Sequence, residues 1–383
     1  MKKRGLNNCK GITLIEMVLM LLITILIIFI VYQIVVVDVL DIMEYGKENS
    51  ISVLANLNNV SGEQEVLSQK GGENIEAIQP VINENNYQAI ETLSSIQHYY
   101  YEQLDEPGKI IYKALEDNIT NMQSGNYKID FKTQFSDLLN SEGGDQKLSV
   151  AFQSAWNAFT YDYVDIFYID VTKLILTTQT TSIGNFSKTH KVHLSNGENA
   201  TYLSDNVTSM EDVQKKKEYI SAVRKKIVSQ LQGYSKYDQI KYLHDWMVDQ
   251  FRYDTTYQKE NIHNVYGALA NKEVVCEGYA RTFKYILDGL GIECVLVSGT
   301  ATNSTGETEA HAWNYVKLNN KWYAIDVTWD DPIIKGGGTL SDDMKYQYFL
   351  KGSDEFLKNH EEDGYISSNS IQFVFPTLEE ENY

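Results

Sequence analysis

The sequence predicts an α+β fold. A helix that opens with a cysteine packs on an antiparallel sheet, preceded by a mixed helix–strand region and an N-terminal membrane-spanning helix. Three observations carry this expectation. Apolar residues after Cys276 recur at helical spacing, two alternating runs flank Asn319-Asn320, and a long apolar run occupies Ile12–Val37.

Ala280, Phe283, Leu287 and Leu290 lie three or four residues apart, the period of a buried helix face, and Gly289 and Gly291 supply the stop. Cys276 then sits in the first turn, where unpaired backbone N–H groups and the helix dipole favour an anion. A thiolate is the reactive form of cysteine, and a helix N-terminus beside an imidazolium lowers a thiol pKa. Cys276 is therefore a candidate nucleophile. Its own backbone N–H is a candidate oxyanion donor, and Gly278 allows close backbone approach. In the strand-like Ile292–Gly299 that follows, Cys294 reads as an inert core residue.

The runs His311–Leu318 and Lys321–Thr328 read as a hairpin turning at Asn319-Asn320. With Leu318 paired to Lys321, His311 falls opposite Thr328 and Trp313 opposite Asp326. Side chains alternate with period two, so these four share a face and His311 and Asp326 become diagonal neighbours. A slip of one residue would put them on opposite faces. A thiol, an imidazole base and a carboxylate that orients the base make a nucleophilic set.

Three motifs extend this reading: VCEGYA at Val275–Ala280, HAWN at His311–Asn314 and WYAIDVTWDDP at Trp322–Pro332. In order and spacing they resemble those of the transglutaminase-like superfamily of papain-like cysteine enzymes. The resemblance implies Cys276 as nucleophile, His311 as general base and Asp326 as its orienter. Tyr237–Tyr253 is similar to that family's leading helix, and Tyr346–Leu350 with His360 resembles its closing segment. The implied chemistry is a cysteine thioester formed from a glutaminyl or peptide amide. Crosslinking to an amine, deamidation and proteolysis all stay open. Trp313, Tyr279 and Trp329 are candidate substrate-binding residues, and Gln250 or an aromatic near Tyr253 is a candidate second oxyanion donor. The alternative is a non-catalytic or pilus-associated binding or assembly module that keeps the fold.

At the N-terminus, Lys2, Lys3, Arg4 and Lys10 precede the apolar run and Asp38, Asp41 and Glu44 follow it. Such a run is long enough to span a bilayer, and the charge bias leaves everything after it outside the cytoplasm. A single-pass cell-membrane protein with extracytoplasmic C-terminal domains is expected. Gly11 through Glu16 resembles the processing site of type IV prepilins, which implies that a prepilin peptidase removes residues 1–11. Residues 38–86 read as a polar spacer, 87–214 as a mixed α/β accessory domain, and 215–383 as the transglutaminase-like domain. Within the accessory region Ile90, Leu93, Ile96 and Tyr100 have helical spacing, and Pro107 opens another helix. A helix is expected at Val150–Phe159, then a β-branched and aromatic run at Val164–Leu176, then a hairpin at Thr177–Leu194.

A net charge of −19 without a basic stripe argues against a nucleic-acid partner. Three cysteines do not make a disulfide framework. No cofactor and no metal are expected. His244 and Asp245 are adjacent, so their side chains should diverge, and Asp330-Asp331-Pro332 reads as a turn with a helix-capping aspartate and not as a calcium loop. The expected partners are a protein or peptide substrate at the cell surface and the membrane itself, through residues 12–37.

Overall fold

The computed structural model describes residues 98–383 except 124, 126, 184–186, 198–200 and 333–340, together with residues 68–69. The expected spanning helix at 12–37, the processing residues Gly11 and Glu16, and the helical spacing at Ile90–Ile96 lie outside these residues. Among the described residues no helix is long and apolar enough to cross a membrane.

The upstream region holds a sheet of β1 (Ser68–Gln69), β2 (Lys128–Lys132), β3 (Ile175–Ile183) and β4 (Ser187–Ser195), ordered β1-β3-β4-β2. β3 and β4 form the expected antiparallel hairpin, in register from Ile175–Ser195 to Ile183–Ser187. The preceding β-branched run does not continue that strand upstream. The Asp170 carboxylate accepts the Thr172 N–H at 2.9 Å, starting a 3-10 turn over Val171–Lys173, so extended pairing begins only at Ile175. Pro107 lies in the first turn of a helix, Glu106–Asp117, capped by Asp105, which accepts the Gly108 N–H at 2.8 Å. The expected Val150–Phe159 helix spans Gly144–Asp162 and buries Leu148, Phe152, Ala155 and Phe159.

Downstream, helices Met210–Leu231 and Lys236–Gln250 start at Ser209 and Ser235, each accepting an N–H three residues on. A short helix, Val265–Asn271, and the two-stranded pair β5 (Arg252–Tyr253) and β6 (Glu273–Val274) lead into the cysteine helix, Cys276–Gly289. That helix stops as expected. Gly291 takes a φ of +67° while Ile292 N–H returns to Leu287 O at 3.0 Å. It packs on an antiparallel sheet ordered β10-β7-β8-β9, made of β7 (Cys294–Thr302), β8 (Thr308–Leu318), β9 (Lys321–Ile325) and β10 (His360–Glu362).

The β8–β9 register is the one the sequence implies, from Leu318–Lys321 to Asn314–Ile325. Asn319 and Asn320 have φ values of 53° and 63°, as a type I′ turn requires. The ladder ends earlier than expected. Asp326 turns its N–H to Tyr348 O at 3.1 Å, and its Oδ1 accepts the N–H groups of Thr328 and Trp329 at 3.0 and 3.2 Å. Those bonds curl the chain into a turn, so Trp313–Asp326 and His311–Thr328 are not ladder pairs.

The two regions share one buried core. The Tyr100 hydroxyl donates to Leu296 O in β7, Arg281 of the cysteine helix donates to Thr160 O at 2.8 Å, and Lys217 pairs with Asp165. In the middle of the downstream sheet, Gly299 pairs with His311 on one side and Glu362 on the other. A Cβ there would lie 2.0 Å from Glu361 O and 2.6 Å from the Trp313 ring. Replacing Gly299 by alanine should therefore force β10 away from β7 and cost roughly 1–3 kcal/mol. Urea unfolding of the variant against wild type measures it, and an unchanged midpoint would contradict the packing described.

Candidate active site

Cys276 is the first residue of its helix and is partly exposed, whereas His311 and Asp326 are buried at 5% and 1% exposure. The thiol faces the His311 ring within hydrogen-bonding reach. His311 Nε2 donates to Asp326 Oδ2 at 2.7 Å, which leaves Nδ1 as the ring nitrogen for the thiol. The three residues that the motifs single out are thus brought together, with the thiol on the solvent side and the carboxylate at the base.

Burial pushes the His311 pKa down, but the charges of Asp326 and Cys276 and hydrogen bonds to both outweigh it and hold the imidazole well above its usual value. Burial pushes the Asp326 carboxyl up, yet the His311 charge and hydrogen bonds from His311 and His360 hold it well below the usual range. His360 Nε2 lies 3.2 Å from the same Asp326 oxygen that His311 holds.

Next to the nucleophile, Glu277 accepts from Arg281 Nε at 2.8 Å and pairs with His263 Nδ1 at 3.2 Å. Burial pushes its carboxyl up, but those two partners hold it down at about 2. Two tyrosines feel the Cys276 charge. Tyr161, from the upstream region, is raised to about 12 by burial and then by Glu277, and Tyr253 is raised by burial and then by Cys276.

The three candidate substrate-binding residues separate. Trp329 is partly exposed, with its ring 5.3 Å from that of His311 and 4.7 Å from that of His360. Trp313 is buried against the same pair, 6.1 Å from His311 and 5.0 Å from His360. Tyr279 is buried too, donating its hydroxyl to Asp331 Oδ2 at 2.6 Å. Gln250 ends its helix exposed to solvent, while Tyr253 stands beside the thiol. The sequence reading had no signal for Tyr161, a residue distant in sequence, or for the His360–Asp326 bond.

Two smaller expectations are corrected. His244 and Asp245 do interact, at 3.1 Å, because the buried imidazole lies flat between Asp245 and Asp330, whose Oδ2 is 3.0 Å from Nε2. Among the described residues Asp330 and Asp331 cap no helix. Asp330 accepts the Tyr348 N–H at 2.8 Å and Asp331 the Tyr279 hydroxyl, so both tie down the turn that carries Asp326.

Among the described residues, His311, Asp326 and His360 form the group whose ligand atoms lie close enough for a metal ion, within 4.8 Å of one another. Two imidazoles and a carboxylate suit a divalent transition metal. Here, however, both Nε2 atoms converge on one carboxylate oxygen at hydrogen-bond length, an arrangement that N–H donation accounts for.

Residues 222–327 match the model of the family described as Transglutaminase-like superfamily. That segment is similar to the transglutaminase-like superfamily. It contains Cys276, His311 and Asp326. The kyphoscoliosis peptidase of Mus musculus is 24% identical over 144 residues, 34% of this chain and 21% of the mouse protein. The chain thus spans about a fifth of the length of that curated relative (21%). A solved structure described as a TGase is 19% identical over 46% of this chain and 50% of its own, with a TM-score of 0.27. The periplasmic domain of TgpA from Pseudomonas aeruginosa is 15% identical over 37% of this chain and 56% of its own, with a TM-score of 0.25.

The His311–Asp326 pair carries a definite pH signature. Because folding raises His311, its contribution to stability is complete below about pH 6.5 and is lost as pH climbs through the folded value. Because folding lowers Asp326, its contribution is present above about pH 3.9 and is lost as pH falls toward the folded value. Both operate together between about pH 4 and 6.5. Urea unfolding of Asp326→Asn should show its largest deficit against wild type near pH 6 and a smaller one at pH 3. A deficit independent of pH would mean that the ion pair does not form.

Proposed function

We propose that the chain is an extracytoplasmic cysteine enzyme, tethered to the membrane by residues 12–37, that breaks or transfers glutaminyl or peptide amides through a thioester on Cys276. The observation that carries this is the partly exposed thiol on a helix N-terminus, facing a buried His311–Asp326 pair. The transglutaminase-like match over 222–327 adds an associational reason. The tether rests on the apolar run and its flanking charges.

The chemistry follows from the geometry. The Cys276 thiolate attacks the carboxamide carbon, and the oxyanion lies where the Cys276 backbone N–H points. Collapse breaks the C–N bond as His311 gives its proton to the departing nitrogen, leaving a thioester and a neutral imidazole. His311 then takes a proton from an incoming amine or water, whose attack on the thioester carbon returns the thiolate. An amine yields a crosslink and water yields deamidation or cleavage. Asp326 keeps the imidazole turned toward the thiol throughout. Trp329 shields the His311–His360 pair from solvent on its open side.

Incubating the protein with a glutaminyl peptide and an amine donor, with mass spectrometry of both peptide and protein, tests this. Wild type should give product and a thioester adduct at Cys276, and Cys276→Ala should lose at least about 10³-fold in rate. Peptide binding without turnover in wild type, unchanged in Cys276→Ala, would make the fold a binding module instead. Processing is tested separately. In a host with prepilin peptidase, the intact mass should begin at Ile12, and a mass that begins at Met1 rules the cleavage out.

A further inference from the structure

His311 and His360 approach Asp326 from opposite sides of one strand. In the sheet order β10-β7-β8, His311 of β8 is paired with Gly299 of β7, and His360 of β10 is paired with Ala301 of β7. Paired residues share a face, so both rings, Gly299 and Ala301 lie on one side of the sheet. The central strand offers no side chain larger than a methyl group there. The two rings can therefore close over it, with centroids 5.8 Å apart, and reach the same carboxylate oxygen.

His360 is itself tightly held. Its ring is buried at 2% exposure, stacks on Phe356 at 4.0 Å and 22°, and donates from Nδ1 to Asn359 Oδ1 at 2.9 Å. Asn359 in turn donates to the Tyr348 hydroxyl at 2.9 Å. Nε2 faces Asp326 Oδ2 at 3.2 Å, so both ring nitrogens meet accepting oxygens and the ring donates from each. We infer that His360 is a positioning residue: its Nε2–H fixes the Asp326 carboxylate in the rotamer that orients His311.

This inference rests on the proposed use of the triad. Asp326 Oδ1 is already held by two backbone N–H groups from its own turn. Those bonds hold one edge of the carboxylate, and the other edge carries the working bond to His311. A second donor on Oδ2 keeps that oxygen in place when the His311 proton load changes during a turnover. Without it, Oδ2 has a single partner, and rotation about the side chain carries the carboxylate out of line with Nε2 of His311. The short helix Ser353–Phe356 and β10, which carry Phe356 and His360, thus belong to the working site as well as to the sheet edge.

Two substitutions separate hydrogen bonding from packing. His360→Phe keeps the ring volume and the stacking on Phe356 but has no donor. His360→Gln loses the ring but places an N–H₂ group near the position of Nε2. Full-chain wild type and both variants are compared for steady-state rate, and for the pH dependence of Cys276 alkylation followed by mass spectrometry. His360→Phe should lose about 10- to 100-fold in kcat with little change in KM, the loss expected for a hydrogen bond to a charged group. Its alkylation profile should differ from that of wild type. His360→Gln should recover most of both.

If His360→Phe behaves like wild type and His360→Gln is the impaired variant, packing alone explains the residue and the inference fails. If wild-type activity disappears with EDTA and returns with Zn²⁺, His360 is a metal ligand and the inference fails in a different way. If wild type itself neither turns over amides nor forms a thioester at Cys276, it is the reading of the triad that fails.

Discussion

A buried carboxylate organises the downstream region. Asp326 is almost wholly removed from solvent, and an ionised group in such a place is costly unless its oxygens are occupied. Four N–H donors occupy them, two from its own turn and two from imidazoles on different strands. The turn ends β9, and the imidazoles bind β8 and β10 to one point. Local chain direction, strand order and the candidate chemistry therefore share a single constraint. Removing one donor would leave charge uncompensated and would also loosen the element that supplied it.

Around that centre the site is graded from dry to wet. Trp313 is buried against the paired imidazoles, Trp329 lies partly exposed against them, and Cys276 faces solvent at the start of its helix. An apolar surround strengthens the His311–Asp326 attraction. Cys276 meanwhile stays partly exposed. Cys294 shows the opposite placement. It is buried near Lys284 and Asp288, and burial pushes its thiol pKa up, which suits an inert residue.

A second buried polar cluster braces the cysteine helix from behind. Lys284 Nζ contacts both oxygens of Asp288 at 3.0 Å, one turn along the same helix, and its charge also acts on Asp162 of the upstream helix. Burial raises both carboxyls, Asp288 to about 6 and Asp162 to about 7, against the lowering effect of Lys284. Asp162 accepts the Tyr112 hydroxyl at 2.9 Å and the Tyr100 and Tyr101 N–H groups at 3.2 Å. Through these bonds and the Arg281–Thr160 contact, the upstream region holds the helix that begins at Cys276.

The sequence alone determined what depends on local rules. Helical spacing and a glycine stop located the cysteine helix, the Asn319-Asn320 turn set the β8–β9 register, and period-two alternation aligned His311 with Trp313. From these the Cys276–His311–Asp326 grouping is legible in the sequence. Only the tertiary structure decided the rest. Asp326 leaves the ladder because its carboxylate captures its own turn, and Trp313 and Tyr279 are buried because other elements cover them. His360 and Tyr161 reach the site from segments 34 residues beyond Asp326 and in the upstream helix, respectively. No periodicity links such positions, since a strand pairing across an edge or a helix docking from elsewhere is specified by the whole core and not by its neighbours in sequence.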